Sequence, residues 1–245
     1  MAKNEIVTFE SELAKLAEQS IAAEKSSAGV SFITTSGGTL KYRDNPIAKN
    51  ELEVVVLASP IERLYYTSRY DPTNNAPPTC FALGSTLTGL KPSHLSDTPQ
   101  SELCETCPKN QWGSASNGGK GKACSEKRRL FLITSDSIAT PEAVNMGEVA
   151  ALRIPVTSVK GFATYVQTVA STVKRPLAGV ITKIALVPDP KTQFKIQFTF
   201  VKAIESIDIV KALLARGEKE VTNAINSPDV EGETDAPALA TSSKY

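Results

Sequence analysis

The stretch Cys104-Glu-Thr-Cys107-Pro-Lys-Asn-Gln-Trp-Gly-Ser-Ala-Ser-Asn-Gly-Gly-Lys-Gly-Lys-Ala-Cys124 decides how this chain is read. With Cys80 it holds all four cysteines of the 245 residues, spaced C-x23-C-x2-C-x16-C. Between Cys107 and Cys124 it carries four glycines and almost no apolar side chains, so it has no core of its own and something else must hold it folded. A Cys-x2-Cys knuckle with two further cysteines matches a tetrahedral thiolate site for structural zinc, with Cys80, Cys104, Cys107 and Cys124 as ligands. Two readings compete: a pair of disulfides, and four unrelated free thiols. Met1 to Glu10 shows no apolar signal segment, so the expected place is the cytoplasm, where disulfides are rare. Zinc is therefore preferred. His94, the single histidine, also lies in this region; it is either a replacement ligand for Cys80 or an exposed loop residue, and four thiolates already complete a shell. Pro108 and the glycines behind it argue for a loop, against the strand–helix setting of a redox Cys-x2-Cys motif. Four sulfurs also leave no open position for metal catalysis, so the metal is read as structural.

Outward from this segment the chain reads mainly as strands. Expected strands are Val30–Thr35, Thr39–Arg43, Leu52–Ser59, Ile61–Tyr70, Leu130–Thr134, Val149–Ile154, Val180–Val187 and Gln193–Val201. Asn45-Pro46 is read as a break and Ser59-Pro60 as a bend. In Ile61–Tyr70, alternation places Arg63, Tyr65, Thr67 and Arg69 on one face. In Gln193–Val201 it sends Phe194, Ile196, Phe198 and Phe200 inward, and this strand forms a hairpin with the one before it. Helical spacing appears at 8–25, at 158–173 with Val159, Phe162, Val166 and Val169 on one stripe, and at 206–226. The expected organisation is an N-terminal helix at 1–28, a β core at 29–203 with a zinc insertion at 78–129, a C-terminal helix at 204–227 and an acidic disordered tail at 228–245. The fold class is mainly β (α+β): a small antiparallel OB-fold-like barrel with peripheral helices, or else a β-sandwich.

Composition sets limits on function. Hydrophobic residues make up 41% and charged residues 22%, as in a soluble globular chain, and no 18-residue apolar run predicts a membrane span. Net charge is +1, yet its distribution is uneven: six basic residues and one acid between Lys109 and Arg129, four acids and no base between Asp229 and Asp235. Phosphate-loop, dinucleotide and HExxH motifs are absent, and Gly118-Gly-Lys-Gly-Lys122 lacks the helix and Ser/Thr of a P-loop. With one histidine and no paired carboxylates at strand ends, no enzyme is expected. Binding of single-stranded nucleic acid needs cations for phosphates and rings for bases. The candidates are Lys41, Arg43, Arg63, Tyr65, Arg69, Tyr70, Lys109, Trp112, Lys120, Lys122, Lys127, Arg128 and Arg129. Trp112, the single tryptophan, either packs on the cysteine knuckle or stacks on a ligand.

Several runs together resemble one family. They are Tyr65-Tyr-Thr-Ser-Arg-Tyr-Asp-Pro72, Pro78-Thr-Cys80-Phe, Cys104-Glu-Thr-Cys107-Pro-Lys-Asn-Gln-Trp-Gly-Ser114, Gly119-Lys-Gly-Lys-Ala-Cys124, Arg128-Arg129-Leu, Ile154-Pro-Val-Thr-Ser-Val-Lys-Gly-Phe162 and Val180-Ile-Thr-Lys183. Over roughly residues 50 to 200 the pattern resembles the zinc-containing single-stranded DNA-binding proteins of tailed bacteriophages. The resemblance implies an OB-fold with a zinc-bearing insertion and sequence-tolerant binding of single-stranded DNA in phage DNA replication and recombination. It also implies an acidic tail that recruits replication or recombination proteins, and a place in the host cytoplasm. The rival expectation is a zinc-stapled structural or regulatory module that binds protein, which the near-neutral net charge favours.

Overall fold

A computed structural model of the chain describes residues 30–67, 77–115 and 119–226. The expected N-terminal helix at 8–25, the acidic tail, Arg69 and Tyr70 lie outside the described residues. The described residues from Phe32 to Asn226 belong to one compact unit. It is mainly β, a curled half-barrel sheet with a few helices against it.

Among the described residues there are ten strands: β1 (Ser31–Thr34), β2 (Lys41–Tyr42), β3 (Asn45–Pro46), β4 (Glu51–Ala58), β5 (Ile61–Tyr65), β6 (Cys80–Gly84), β7 (Ser125–Thr134), β8 (Ala150–Ile154), β9 (Val180–Asp189) and β10 (Gln193–Ala203). Their order is β10-β9-β4-β7-β8-β1-β2-β3, with β5 paired to both β6 and β7. The helices are α1 (Pro141–Met146), α2 (Val156–Thr168), which runs on into a π turn at Val169–Val173, and α3 (Ile207–Asn226).

β4 and β5 act as one kinked strand. Both run antiparallel to β7, with Val56 opposite Leu132 and Ile61 opposite Arg128. Between them Arg129 donates its backbone N–H to Pro60 O at 3.1 Å, so the ladder continues through the bend. Proline fits there because it lacks only the donor, and its carbonyl still accepts. On the other edge the partner changes at this bend: β9 lies beside β4 and β6 beside β5. The bend thus turns the lower half of the strand toward the cysteine segment.

The apolar run Leu52-Glu-Val-Val-Val-Leu57 explains why β4 is central, since alternating side chains must be covered on both faces. Val54 and Val56 pack with Leu130, Leu132, Leu152, Ile154, Ile184, Ile196 and Phe162 of α2. Phe162 meets Phe198 edge-on at 5.0 Å, and Tyr165 Oη lies 2.7 Å from Thr182 Oγ1. On the opposite face α3 crosses β4 at Gly217, where a Cβ would collide with Leu57 O. Leu213, Gly217, Glu220 and Ala224 form the buried stripe of α3 at helical spacing. Arg216 pairs with the buried Glu220 at 2.6 Å and also donates to Asn145 O, tying α3 to α1.

The structure corrects several expectations. Asn45-Pro46 is a short edge strand rather than a break. The 61–70 strand ends at Tyr65, and Cys80–Gly84 is a strand that the polar surroundings concealed. α1 was not anticipated, although Thr140 caps it by accepting from Ala143 N and Pro141 opens it. Phe194 and Phe200 are about 40% exposed, because Ile196 and Phe198 occupy the space facing α2. No helix among the described residues is long and apolar enough to cross a membrane.

Candidate nucleic-acid interface

The lower half of the kinked strand carries the site. Arg63 and Tyr65 alternate onto one face of β5, with Ala82 and Cys80 of β6 opposite them. The segment after β6 folds back over that face. Ser93 N donates to Phe81 O, Thr98 N to Thr79 O and Cys104 N to Leu90 O, at 2.8 to 2.9 Å. Leu90 and Cys104 pack on Ala82. Arg63 is therefore covered by the cysteine segment, while Tyr65 at the end of the strand stays half-buried.

Cys80, Cys104, Cys107 and Cys124 line one small cavity with Arg63, Tyr65, Lys109 and Asn110. No two of them form a disulfide, and the first three are buried. Burial pushes the Cys104 thiol up to about 11; repulsion from Cys124 acts the same way and the Arg63 guanidinium acts against both. Cys124 is likewise pushed up to about 11, chiefly by burial. For Cys104 and Cys124 burial is the larger cause and the neighbouring sulfurs add to it; a cation bound in the cavity would act in the opposite sense by favouring the thiolates. As they stand, no group of three or more His, Cys, Asp or Glu among the described residues is arranged to hold a metal ion. His94 is exposed and does not line the cavity.

Asn110 holds the segment together. It is 7% exposed, the one buried position among the described residues from Pro108 to Cys124. Its Nδ2 donates to Cys104 O at 2.7 Å. Its Oδ1 accepts from Arg63 Nη1 and, at 3.2 Å, from Lys122 Nζ. Arg63 Nη2 also pairs with Glu126 at 2.7 Å. Around this hub, Cys124 N donates to Lys109 O at 2.8 Å, and Gly113 N reaches the carbonyls of Lys120 and Gly121. Gly113 has φ +85, a conformation that suits glycine at the tip of the turn. Ser114 Oγ donates to Lys109 O and accepts from Ala123 N.

Two cation–ring pairs lie on the outside of this frame. Lys122 Nζ sits 5.3 Å from the Trp112 ring centroid, and Lys109 Nζ 5.3 Å from that of Tyr65. The Trp112 ring is 79% exposed. Of its two sequence readings, packing on the knuckle is thus not what is seen. Lys120 is exposed at the edge of the same turn, and Arg128 is half-buried with Nη1 donating to Ser59 O at 3.2 Å.

Arg63 and Arg129 do not stand at the surface as the sequence reading placed them. Arg63 is 6% exposed beneath the segment and Arg129 4% exposed on the opposite sheet face. There Glu62 takes Arg129 and, at 2.9 Å, Arg153, and the Phe32 ring lies against both guanidiniums. Burial pushes the Glu62 carboxyl up, but the two arginines together outweigh it and hold it below its ordinary range. Lys41 sits on β2 and Arg43 in the turn that follows it, with β8 and β1 between β2 and β7, and Arg43 pairs with Glu148. Sequence reasoning missed Asn110, Glu62, Glu126 and Arg153. The one available signal was a charge balance: Glu62-Arg63 and Glu126 stand on strands flanked by apolar partners, where buried charges must pair. Asn110 carried no signal, because its partners are distant in the chain.

Comparisons with models of known protein families, with curated proteins and with solved structures return no match for this chain.

Proposed function

We propose that this protein binds single-stranded DNA with little sequence preference and without catalysis, in phage DNA replication or recombination. The observation that carries the reading is Trp112: an indole 79% exposed on a hydrogen-bonded turn, with a lysine against it. Exposure of so large a ring costs solvation unless a partner covers it, and a base is a ring-shaped partner whose phosphates meet the neighbouring cations. Tyr65 with Lys109 repeats the same pairing, and Lys120 and Arg128 extend the basic edge. Arg63 and Arg129 are left out because their charges are spent on Glu126 and Glu62. The strand kinked at Ser59-Pro60 and shared between two sets of neighbours supports an OB-type barrel as the carrier.

Zinc is proposed as the structural cofactor, with Cys80, Cys104, Cys107 and Cys124 as its ligands. The thiols share one cavity, and a divalent ion would supply the positive charge that a cluster of thiolates needs there. Ligation requires them to draw in from their present positions. The ion would supply folding free energy to a segment that lacks apolar burial.

The deciding experiment is a titration of Trp112 fluorescence with oligo-dT and with duplex DNA of equal length, at several salt concentrations. Oligo-dT should quench the emission and bind more tightly than duplex, whose bases are already stacked. Log affinity should fall with log salt by about 0.7 per phosphate contact. Equal binding of the two, or none at low salt, would replace this reading with the zinc-stapled protein-binding module.

A further inference from the structure

We propose that Asn110 is a positioning residue that couples the cysteine cavity to the DNA-binding edge by holding Lys122 over Trp112 without neutralising its charge. The proposal rests on the single-strand reading above.

Three observations lead to it. The Asn110 amide is fixed in one orientation: Nδ2 donates to Cys104 O at 2.7 Å, and a flip would turn its N–H groups onto two cations. Its Oδ1 is shared by Arg63 and Lys122, and of these only Arg63 has a carboxylate, Glu126. The excess positive charge of the trio Arg63, Glu126 and Lys122 thus resides on Lys122, the member that also lies against the exposed ring. A neutral acceptor orients a cation and leaves its charge for a phosphate; a carboxylate in the same place would cancel it. The same amide is bonded to the backbone of a cavity cysteine, so any rearrangement of the thiols moves the acceptor that orients Lys122.

Asparagine and aspartate are nearly equal in size, which makes Asn110→Asp the direct test. Wild type, N110D, N110A and K122Q, alone and as N110D/K122Q, are titrated with oligo-dT over a salt series, with thermal melting of each recorded. N110D should flatten the salt slope by about 0.7, the share of one single-strand phosphate contact. K122Q should do the same in wild type and add nothing in the N110D background. N110A should keep the wild-type slope and bind about 3- to 10-fold more weakly, the worth of one or two hydrogen bonds. If N110A does not fold, the N110D and K122Q cycle decides alone. A wild-type slope for N110D, or an equal K122Q effect in both backgrounds, overturns the proposal. Failure of wild type to bind oligo-dT instead overturns the function on which it rests.

Discussion

The centre of the sheet and the cysteine segment are held by opposite means. Around β4 and β7, Val54, Val55, Leu130 and Phe131 are each fully buried, and stability comes from apolar area removed from water. From Pro108 to Cys124 the one buried described residue is an asparagine. That segment is held by directional contacts, each of which depends on its partners being in place. Burial of apolar area tolerates small shifts and changes of side chain. A polar hub does not, because a missing partner leaves a buried donor or acceptor unpaired. The first design suits a scaffold. The second suits a surface that must present a ring and cations in one arrangement.

The largest expected effect lies where the sheet itself relies on a polar contact. Glu62→Ala leaves the Arg129 and Arg153 guanidiniums facing each other with no counter-charge, and should cost about 3–5 kcal/mol in urea unfolding. A loss under about 1 kcal/mol would mean that the cluster is hydrated and that the sheet does not depend on this polar contact.

Next comes Cys104→Ser. It should release the segment and leave the sheet standing: amide exchange at Gly113 and Cys124 should accelerate strongly while amides of β4 and β7 stay protected. Protein purified without added zinc should carry about one equivalent of the metal in wild type and lose it in this variant. Equal loss of protection in both regions would show that they fold as one unit.

Trp112→Ala separates presentation from stability. The ring is 79% exposed, so unfolding should change by no more than about 0.5 kcal/mol. Oligo-dT affinity should fall by about 1–3 kcal/mol. A stability loss without a binding loss would return the ring to a packing role.

The smallest effect concerns the β9–β10 turn. Asp189 accepts from the backbone N–H of Lys191 and Thr192 and pairs with Lys195 at 3.1 Å, which together hold its carboxyl down at about 2. A carboxyl with a depressed folded value stabilises above its unfolded value of 3.8, and that contribution disappears as pH falls toward 2. Amide exchange at Lys191 and Thr192, corrected for intrinsic rates, should show the turn loosening between pH 4 and 2 while the sheet centre does not change.

The strands at 51–58, 150–154, 180–189 and 193–203 and the helix at 207–226 were legible because their hydrophobic period is local and strong. So was the grouping of the cysteines: their confinement to one core-poor stretch anticipated a shared cavity. Alternation also placed Arg63 and Tyr65 correctly on one face of β5. What alternation could not say is which face stays open. That was decided by the segment folding back from β6, through backbone hydrogen bonds such as Ser93 to Phe81 and Cys104 to Leu90 that leave no side-chain signature. Arg63 thereby became an internal ion-pair partner, and the cation beside the Tyr65 ring is Lys109 of the cysteine segment, which alternation along β5 could not indicate. Periodicity along the chain determines which side chains share a side. Contacts between distant segments determine whether that side meets water, protein or ligand, because burial depends on what else arrives there.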